Sequence, residues 1–383
     1  MSELVLGKIL CVTNDFGPRA GGIETFIMGL IERAPKGSII VYTSAQGDTT
    51  TYDQGWLRDF GVEVIRDSSK ILLPSPRVIR NVQKVIARHS IKQVFFGAAA
   101  PLAVMARSLR NKGVINIVAL THGHEVWWAK LWPFSVAISF IGRNVDYLTY
   151  LGEFTKNEIS KALSPESTSK VIKIAPGIDT NHFAPVPSSA QLRKDLGLAD
   201  KKVIVSVGRL VHRKGQDILI KSMPAVLAEH PTAHILMVGE GPYRKYLTKL
   251  VSKLDLSDAV TFIGRIQYKE LPRYICAGDI FVMPSRSRLA GLEVEGLGIV
   301  YLEASSCALP VIAGRSGGAP DAVDEGVTGY SVDGTSPLEV SKAIVKLFDD
   351  PVRAKEMGQA GRRWIVDKWR WEIWSKEFNL LFK

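Results

Sequence analysis

Cysteine is scarce in this sequence of 383 residues: Cys11, Cys276 and Cys307 are the only three. They are odd in number, far apart and each set in an apolar stretch, which argues against a disulfide framework and predicts buried thiols in a reducing compartment. Long apolar runs are missing too. The longest nearly uncharged stretch, Gln93–Ala106, contains Pro101 and is too short to span a bilayer. Met1–Gly7 has neither the basic start nor the cleavage site of a signal peptide, so the expected place of work is the cytoplasm, with a peripheral position on a membrane left open. No short internal repeat or low-complexity segment occurs, and the composition excludes a disordered or collagen-like chain. Acids are outnumbered: 38 Asp and Glu against 49 Lys and Arg leave a net charge of +11. Such a surplus points to anionic partners, whether phosphates, nucleic acid or an acidic lipid surface.

What is present is ordinary globular chemistry, 46% hydrophobic and 23% charged, at a length that suits two domains. Short β-branched runs alternate with helix-length stretches of 3.6-residue apolar spacing. Seven such runs lie between Lys8 and Ile174, and six more between Val203 and Val332. Alternating β and α elements predict parallel sheets covered on both faces, and two series predict two doubly wound α/β domains. The break falls in Ile174–Pro187, where three prolines and little periodicity read as a linker. The expected domains are residues 1–175 and 176–365. A C-terminal helix over about 366–383, in a Trp-rich tail, is expected to dock back onto the first domain.

Ligands of open parallel sheets bind beyond the carboxyl ends of the strands, so the loops there carry the candidate chemistry. After the first strand, Gly21-Gly22 at a helix start lets a diphosphate or sugar approach the main chain, or forms a plain turn. After the fifth comes Thr121-His-Gly-His-Glu125; it lacks the i, i+4 spacing of a helical zinc motif, so no metal is expected. His122 is the candidate substrate-facing residue there, while His124 and Glu125 read as loop caps. In the second series Arg209 leaves a strand end and Lys214 follows at a helix start. A forked guanidinium and a mobile ammonium suit a diphosphate leaving group. Arg213 beside them reads as a solvated turn residue. Glu295 sits in a Gly-rich loop, with Glu303 eight positions later in the following helix. Free N–H groups at Leu297, Gly298 and Ile299 can face a phosphate or hydroxyl, and two carboxylates suit sugar and ribose hydroxyls, which donate to them.

Glu295-x7-Glu303, Gly21-Gly22, Arg209 with Lys214, and the turn Ser316-Gly-Gly-Ala-Pro320 together resemble the family-four retaining glycosyltransferases. Val12–Phe16, Phe96–Leu102, Thr121–Glu125 and Gly291–Ile299 resemble most closely its actinobacterial PimB-type mannosyltransferases. The resemblance runs nearly end to end and implies the GT-B architecture, two facing Rossmann-like domains with an interdomain cleft. It implies mannose transfer from GDP-mannose to a phosphatidylinositol mannoside acceptor at the inner face of the plasma membrane. Arg209 and Lys214 would hold the diphosphate, Glu295 the mannose and Glu303 the ribose. Gly21, Gly22 and His122 would complete the sugar pocket, Arg265 and Ile266 would touch the guanine, and Asp15 would lie on the acceptor side. Gly17 departs from the family's usual Phe-Pro-Pro. The implied course is front-face attack within an ion pair, with the departing phosphate taking the acceptor's proton and no metal required.

A clue independent of the resemblance lies in Arg66–Lys112, which holds ten Lys or Arg and a single acid, Asp67. Arg77, Arg80, Lys84 and Arg88 fall on one helical stripe opposite Val78, Ile79, Val82, Val85 and Ile86. The stripe suits anionic lipid headgroups, or a merely solvated face. A nucleic-acid partner is disfavoured because no recognition module accompanies the charge. The rival enzyme reading is a family-four transferase using a UDP-sugar on a soluble acceptor.

Overall fold

A computed structural model describes residues 7–19 and 21–383; the reading of Met1–Leu6 as lacking a leader lies outside them. The chain divides into two compact units. One comprises the residues up to Gly177 together with Trp371–Lys383, and the other is Ile178–Arg370.

The first unit holds strands β1 (Ile9–Thr13), β2 (Ile39–Thr43), β3 (Glu63–Arg66), β4 (Gln93–Phe96), β5 (Asn116–Ala119), β6 (Tyr147–Tyr150) and β7 (Val171–Lys173). They form one sheet in the order β3-β2-β1-β4-β5-β6-β7. The second holds β8 (Lys202–Val207), β9 (Ala233–Val238), β10 (Val260–Gly264), β11 (Ile280–Met283), β12 (Val311–Gly314) and β13 (Gly329–Val332), ordered β10-β9-β8-β11-β12-β13. Every pairing is parallel. Parallel strands need crossover helices on both faces, which is why β1, β2 and β9 are buried from end to end. All thirteen strands coincide with the β-branched runs of the sequence, and the expected α/β class with two Rossmann-like domains is what the chain forms.

Both sheets reverse strand order once, between β1 and β4 and between β8 and β11. Loops after these strands leave in opposite directions and open a crevice, so they are where each sheet can receive a ligand. The segment Ile174–Pro187, expected as a linker, is largely packed. Ile174, Ala175, Ile178 and Phe183 are buried, and the Phe183 carbonyl accepts from Ser306 and Arg362. Its prolines stop periodic structure without freeing the chain. The C-terminal helix Trp371–Leu380 belongs to the first unit. Trp371 lies under the Arg33 guanidinium at 4.6 Å, Phe378 meets Phe95 edge-on at 5.2 Å, and Asn116 donates to the Leu381 carbonyl at 2.6 Å. Cys11 and Cys307 are buried as expected, whereas Cys276 is only partly so.

Candidate active site

In the second unit the loop after β8 turns through a short 3-10 segment, His212–Lys214, into helix Gln216–Glu229. Gly215 makes that turn at φ 73°, and a Cβ there would meet the Pro284 carbonyl at 1.8 Å, so only glycine fits. The close approach joins the loop after β8 to the loop after β11. A second clamp is the buried pair Arg286–Asp217, with contacts of 2.8 and 3.2 Å, reinforced by the Arg286 N–H donating to the Arg213 carbonyl. Arg286 also donates through Nε to His212 Nδ1. Burial and then the Arg286 charge push the His212 ring below the ordinary histidine value.

This double clamp delivers Lys214 and Arg213 to Glu295. Lys214 Nζ and Arg213 Nη1 each lie 2.8 Å from Glu295 Oε2. Arg213, expected as a solvated turn residue, is thus a partner of the central carboxylate. Burial alone would raise the Glu295 carboxyl, but the Lys214 charge and then that of Arg213 outweigh it and hold it below the usual glutamate range. Glu295 is positioned through its main chain as well. Its N–H donates to Ser316 Oγ and its carbonyl accepts from Gly318, which explains the Ser316–Pro320 turn.

Helix Ile299–Ser306 begins at its N-cap Gly298, φ 79°, where a Cβ would strike the Tyr301 ring at 2.4 Å. Among the described residues, the N–H groups of Leu297, Gly298 and Ile299 make no hydrogen bond. Glu303, one turn further, is buried in the same neighbourhood. Desolvation pushes its carboxyl up to about 7, against the opposing Lys214 charge, and no hydrogen bond relieves it among the described residues. Arg209 stands exposed at the end of β8 with no side-chain partner among the described residues. Arg265 is exposed and Ile266 half-buried after β10, where Gly264 takes φ 85°. The structure therefore brings Lys214, Arg213, Glu295 and Glu303 together, while among the described residues Arg209, Arg265 and Ile266 make no side-chain hydrogen bond or ion pair with that cluster.

In the first unit, His122 is buried beyond β5 and its Nε2 lies 2.5 Å from the Gly97 carbonyl. A carbonyl only accepts, so Nε2 carries the hydrogen and Nδ1 is left as an acceptor. Burial holds the ring below the ordinary histidine value, so at neutral pH it is uncharged. Glu125 accepts from the His122 N–H at 2.9 Å and pairs with His124 at 3.2 Å, which makes it the loop cap expected. Gly21 and Gly22 open helix Gly22–Glu32, and the Glu24 carboxylate lies where a Gly21 side chain would start. Arg19, unmarked by any motif, bridges Glu24 at 2.7 Å and Asp15 at 3.4 Å. Burial and then the Glu24 charge raise the Asp15 carboxyl, with Arg19 partly opposing. Among the described residues no three His, Cys, Asp or Glu side chains gather as a metal site.

Of the basic stripe on helix Pro76–His89, Arg80, Lys84 and Arg88 are exposed and, among the described residues, form no ion pair with an acid. Arg77 is not free: its guanidinium holds Asp67 at 2.6 and 3.2 Å, and Asp67 also accepts from Tyr42. Burial would raise Asp67, but the bonds from Arg77, Tyr42 and Ser69 outweigh it and hold it far below the carboxylate range.

Comparison with known proteins adds an independent line. A family model described as glycosyl transferases group 1 matches residues 188–364, and one described as glycosyltransferase family 4 matches residues 20–182. A GDP-mannose-dependent alpha-(1-6)-phosphatidylinositol monomannoside mannosyltransferase of Mycolicibacterium smegmatis is 42% identical over 95% of both chains. The Mycobacterium tuberculosis protein of the same description is 40% identical over 96% of both. A Corynebacterium glutamicum relative, described as acting on the monoacylated form, is 41% identical over 97% of both. Among solved structures, Anabaena HepE in complex with UDP superposes with a TM-score of 0.82 at 20% identity, over 97% of this chain and 98% of that one. WaaG, a glycosyltransferase involved in lipopolysaccharide biosynthesis, gives 0.68 at 18% identity, over 97% and 99%. At those identities the structures establish the GT-B fold alone.

Proposed function

The chain belongs to the group 1 glycosyltransferases, and from that premise we propose that it is a retaining enzyme moving mannose from GDP-mannose to the inositol of a phosphatidylinositol monomannoside, in alpha-1,6 linkage. Its place of work is the cytoplasmic side of the plasma membrane, as a peripheral protein; no helix among the described residues is long and apolar enough to cross a bilayer. The observation that carries this reading is identity of 40–42% running end to end to enzymes described with one donor and one acceptor class.

The geometry of the second unit is compatible with holding the donor. Lys214 has three N–H donors, so it can keep Glu295 and still reach a diphosphate, whose growing charge it would stabilise together with Arg209. Glu295, held ionised, accepts from mannose hydroxyls, and Glu303 accepts from the ribose diol once deprotonated. The N–H groups of Leu297, Gly298 and Ile299 suit the distal phosphate, and Arg265 with Ile266 the base. On the first unit, His122 Nδ1 accepts from a sugar hydroxyl beside the Gly21-Gly22 main chain, and Asp15 orients the acceptor. Front-face attack needs no enzyme carboxylate beneath the anomeric carbon; the departing phosphate takes the acceptor's proton. No metal is assigned a part.

The test is a product assay with GDP-mannose and a phosphatidylinositol monomannoside, in which a dimannoside is expected. Calorimetric preference for UDP over GDP would overturn the donor. A mannosyl-enzyme adduct trapped with a fluorinated donor would overturn the front-face course.

A further inference from the structure

Resting on the reading of the acceptor as a membrane phospholipid, we infer that an apolar ridge around Trp132 enters the acyl region of an anionic leaflet while the adjoining basic face lies on its headgroups. Trp132, between helices Glu125–Lys130 and Phe134–Asn144, is 81% exposed, and Val136, in the first turn of the latter, is 54% exposed, flanked by Leu131 and Phe134. Behind the ridge lies a shallow groove of about 560 Å³ lined by Val104, Trp132, Pro133, Val136, Ala137 and Phe140, with no charged side chain among them. The ridge has a firm base, since Phe134 packs edge-on against Trp127 at 4.9 Å and Trp128 at 5.0 Å.

Its surroundings identify the occupant. Helix Phe134–Asn144 buries Ile138 and Ile141 in the same core cluster that takes Leu109 and, from the basic helix, Val78 and Val82. The short helix Ala106–Arg110 touches both of these helices on one face of the sheet, and Gln83 of the basic helix donates to its Ser108 carbonyl at 3.1 Å. Their outward side chains run from Arg80, Lys84 and Arg88, through Arg107, to Val104 and Trp132. Of the charges in Arg66–Lys112, the one acid is already taken by Arg77. A second copy docking here would bring like charges together, whereas a leaflet offers negative headgroups above an apolar layer. Indole prefers the boundary between those layers, and durable membrane attachment takes two signals, one apolar and one electrostatic.

The experiment uses the full chain with phosphatidylcholine vesicles, with and without phosphatidylinositol, carrying bromine on the acyl chains. Wild-type tryptophan fluorescence should be quenched, and W132F should pellet with vesicles but lose most of the quenching. W132S/V136S should bind anionic vesicles about tenfold more weakly, the apolar area lost being that of one indole and one isopropyl group. Mannose transfer to a deacylated, water-soluble acceptor should persist in both variants, which certifies their folding. Equal quenching in wild type and W132F, or undiminished binding by W132S/V136S, would overturn the proposal. So would a wild-type dimer that W132S/V136S dissolves. A wild-type protein that inserts but transfers no mannose would sink the proposed function and leave the docking surface standing.

Discussion

Glu295 and Glu303 are the same residue type eight positions apart, both buried, and the fold drives them in opposite directions. Two cations at 2.8 Å keep Glu295 ionised. Glu303 has desolvation and only the Lys214 charge to oppose it, and sits at about 7. Lys214→Ala should lower kcat roughly 100- to 1000-fold in a mannose-transfer assay, because it removes charge stabilisation that matters most as the diphosphate departs. For Glu303 the folded value lies above the unfolded one near 4.5, so its contribution to stability is full below 4.5 and is lost as pH rises through about 7. Glu303→Gln cannot ionise, and at pH 8 the ligand-free variant should be more stable than wild type by on the order of 3 kcal/mol in denaturant unfolding. If the ribose diol binds the carboxylate, GDP affinity in wild type should rise from pH 6 to pH 8, and that rise should vanish in the variant.

At the scale of elements, the candidate donor site depends on two loops being tied together, not on either loop by itself. Arg286 and Asp217 are 69 residues apart, yet their buried pair fixes the β8 and β11 loops in register and so sets where Lys214 and Arg213 stand. Arg286→Ala should cost about 3–5 kcal/mol by leaving Asp217 buried and uncompensated, measurable by urea titration. The double variant with Asp217→Leu should recover part of it. The thirteen strands could be placed from sequence because period-2 and period-3.6 patterns report local burial directly. The pairing of Arg213 with Glu295 across 82 residues could not, since no spacing encodes it. Arg213 stands beside Lys214, and Glu24 three positions beyond Gly21, so their neighbourhood to motif residues was the one signal available. Arg19 offered none.

For the whole molecule, charge and chain path matter more than any single contact. Arg80→Ser, Lys84→Ser and Arg88→Ser together should abolish the salt-sensitive part of binding to acidic vesicles while sparing GDP affinity, each basic residue contributing about 1 kcal/mol near an anionic surface. Arg77 is best left in place, because its role in holding Asp67 would confound the result. The chain leaves the first unit after Gly177 and returns to it at Trp371. Deleting Trp371–Lys383 should uncover Phe95 and Phe26 and lower the thermal transition of the first unit, with that of Ile178–Arg370 unchanged in calorimetry.

The sequence by itself determined the alternation of strand and helix, the two sheets, the places of the strand-end loops and the basic excess of residues 66–112. These are properties of local pattern and composition, and they survive any detail of packing. Tertiary structure alone decided which cation meets which carboxylate, which histidine nitrogen is left to accept, and which glutamate stays charged. Those outcomes depend on burial and on distances of about 3 Å between residues far apart in the chain, where the electrostatic consequence of a contact is largest and the sequence says least.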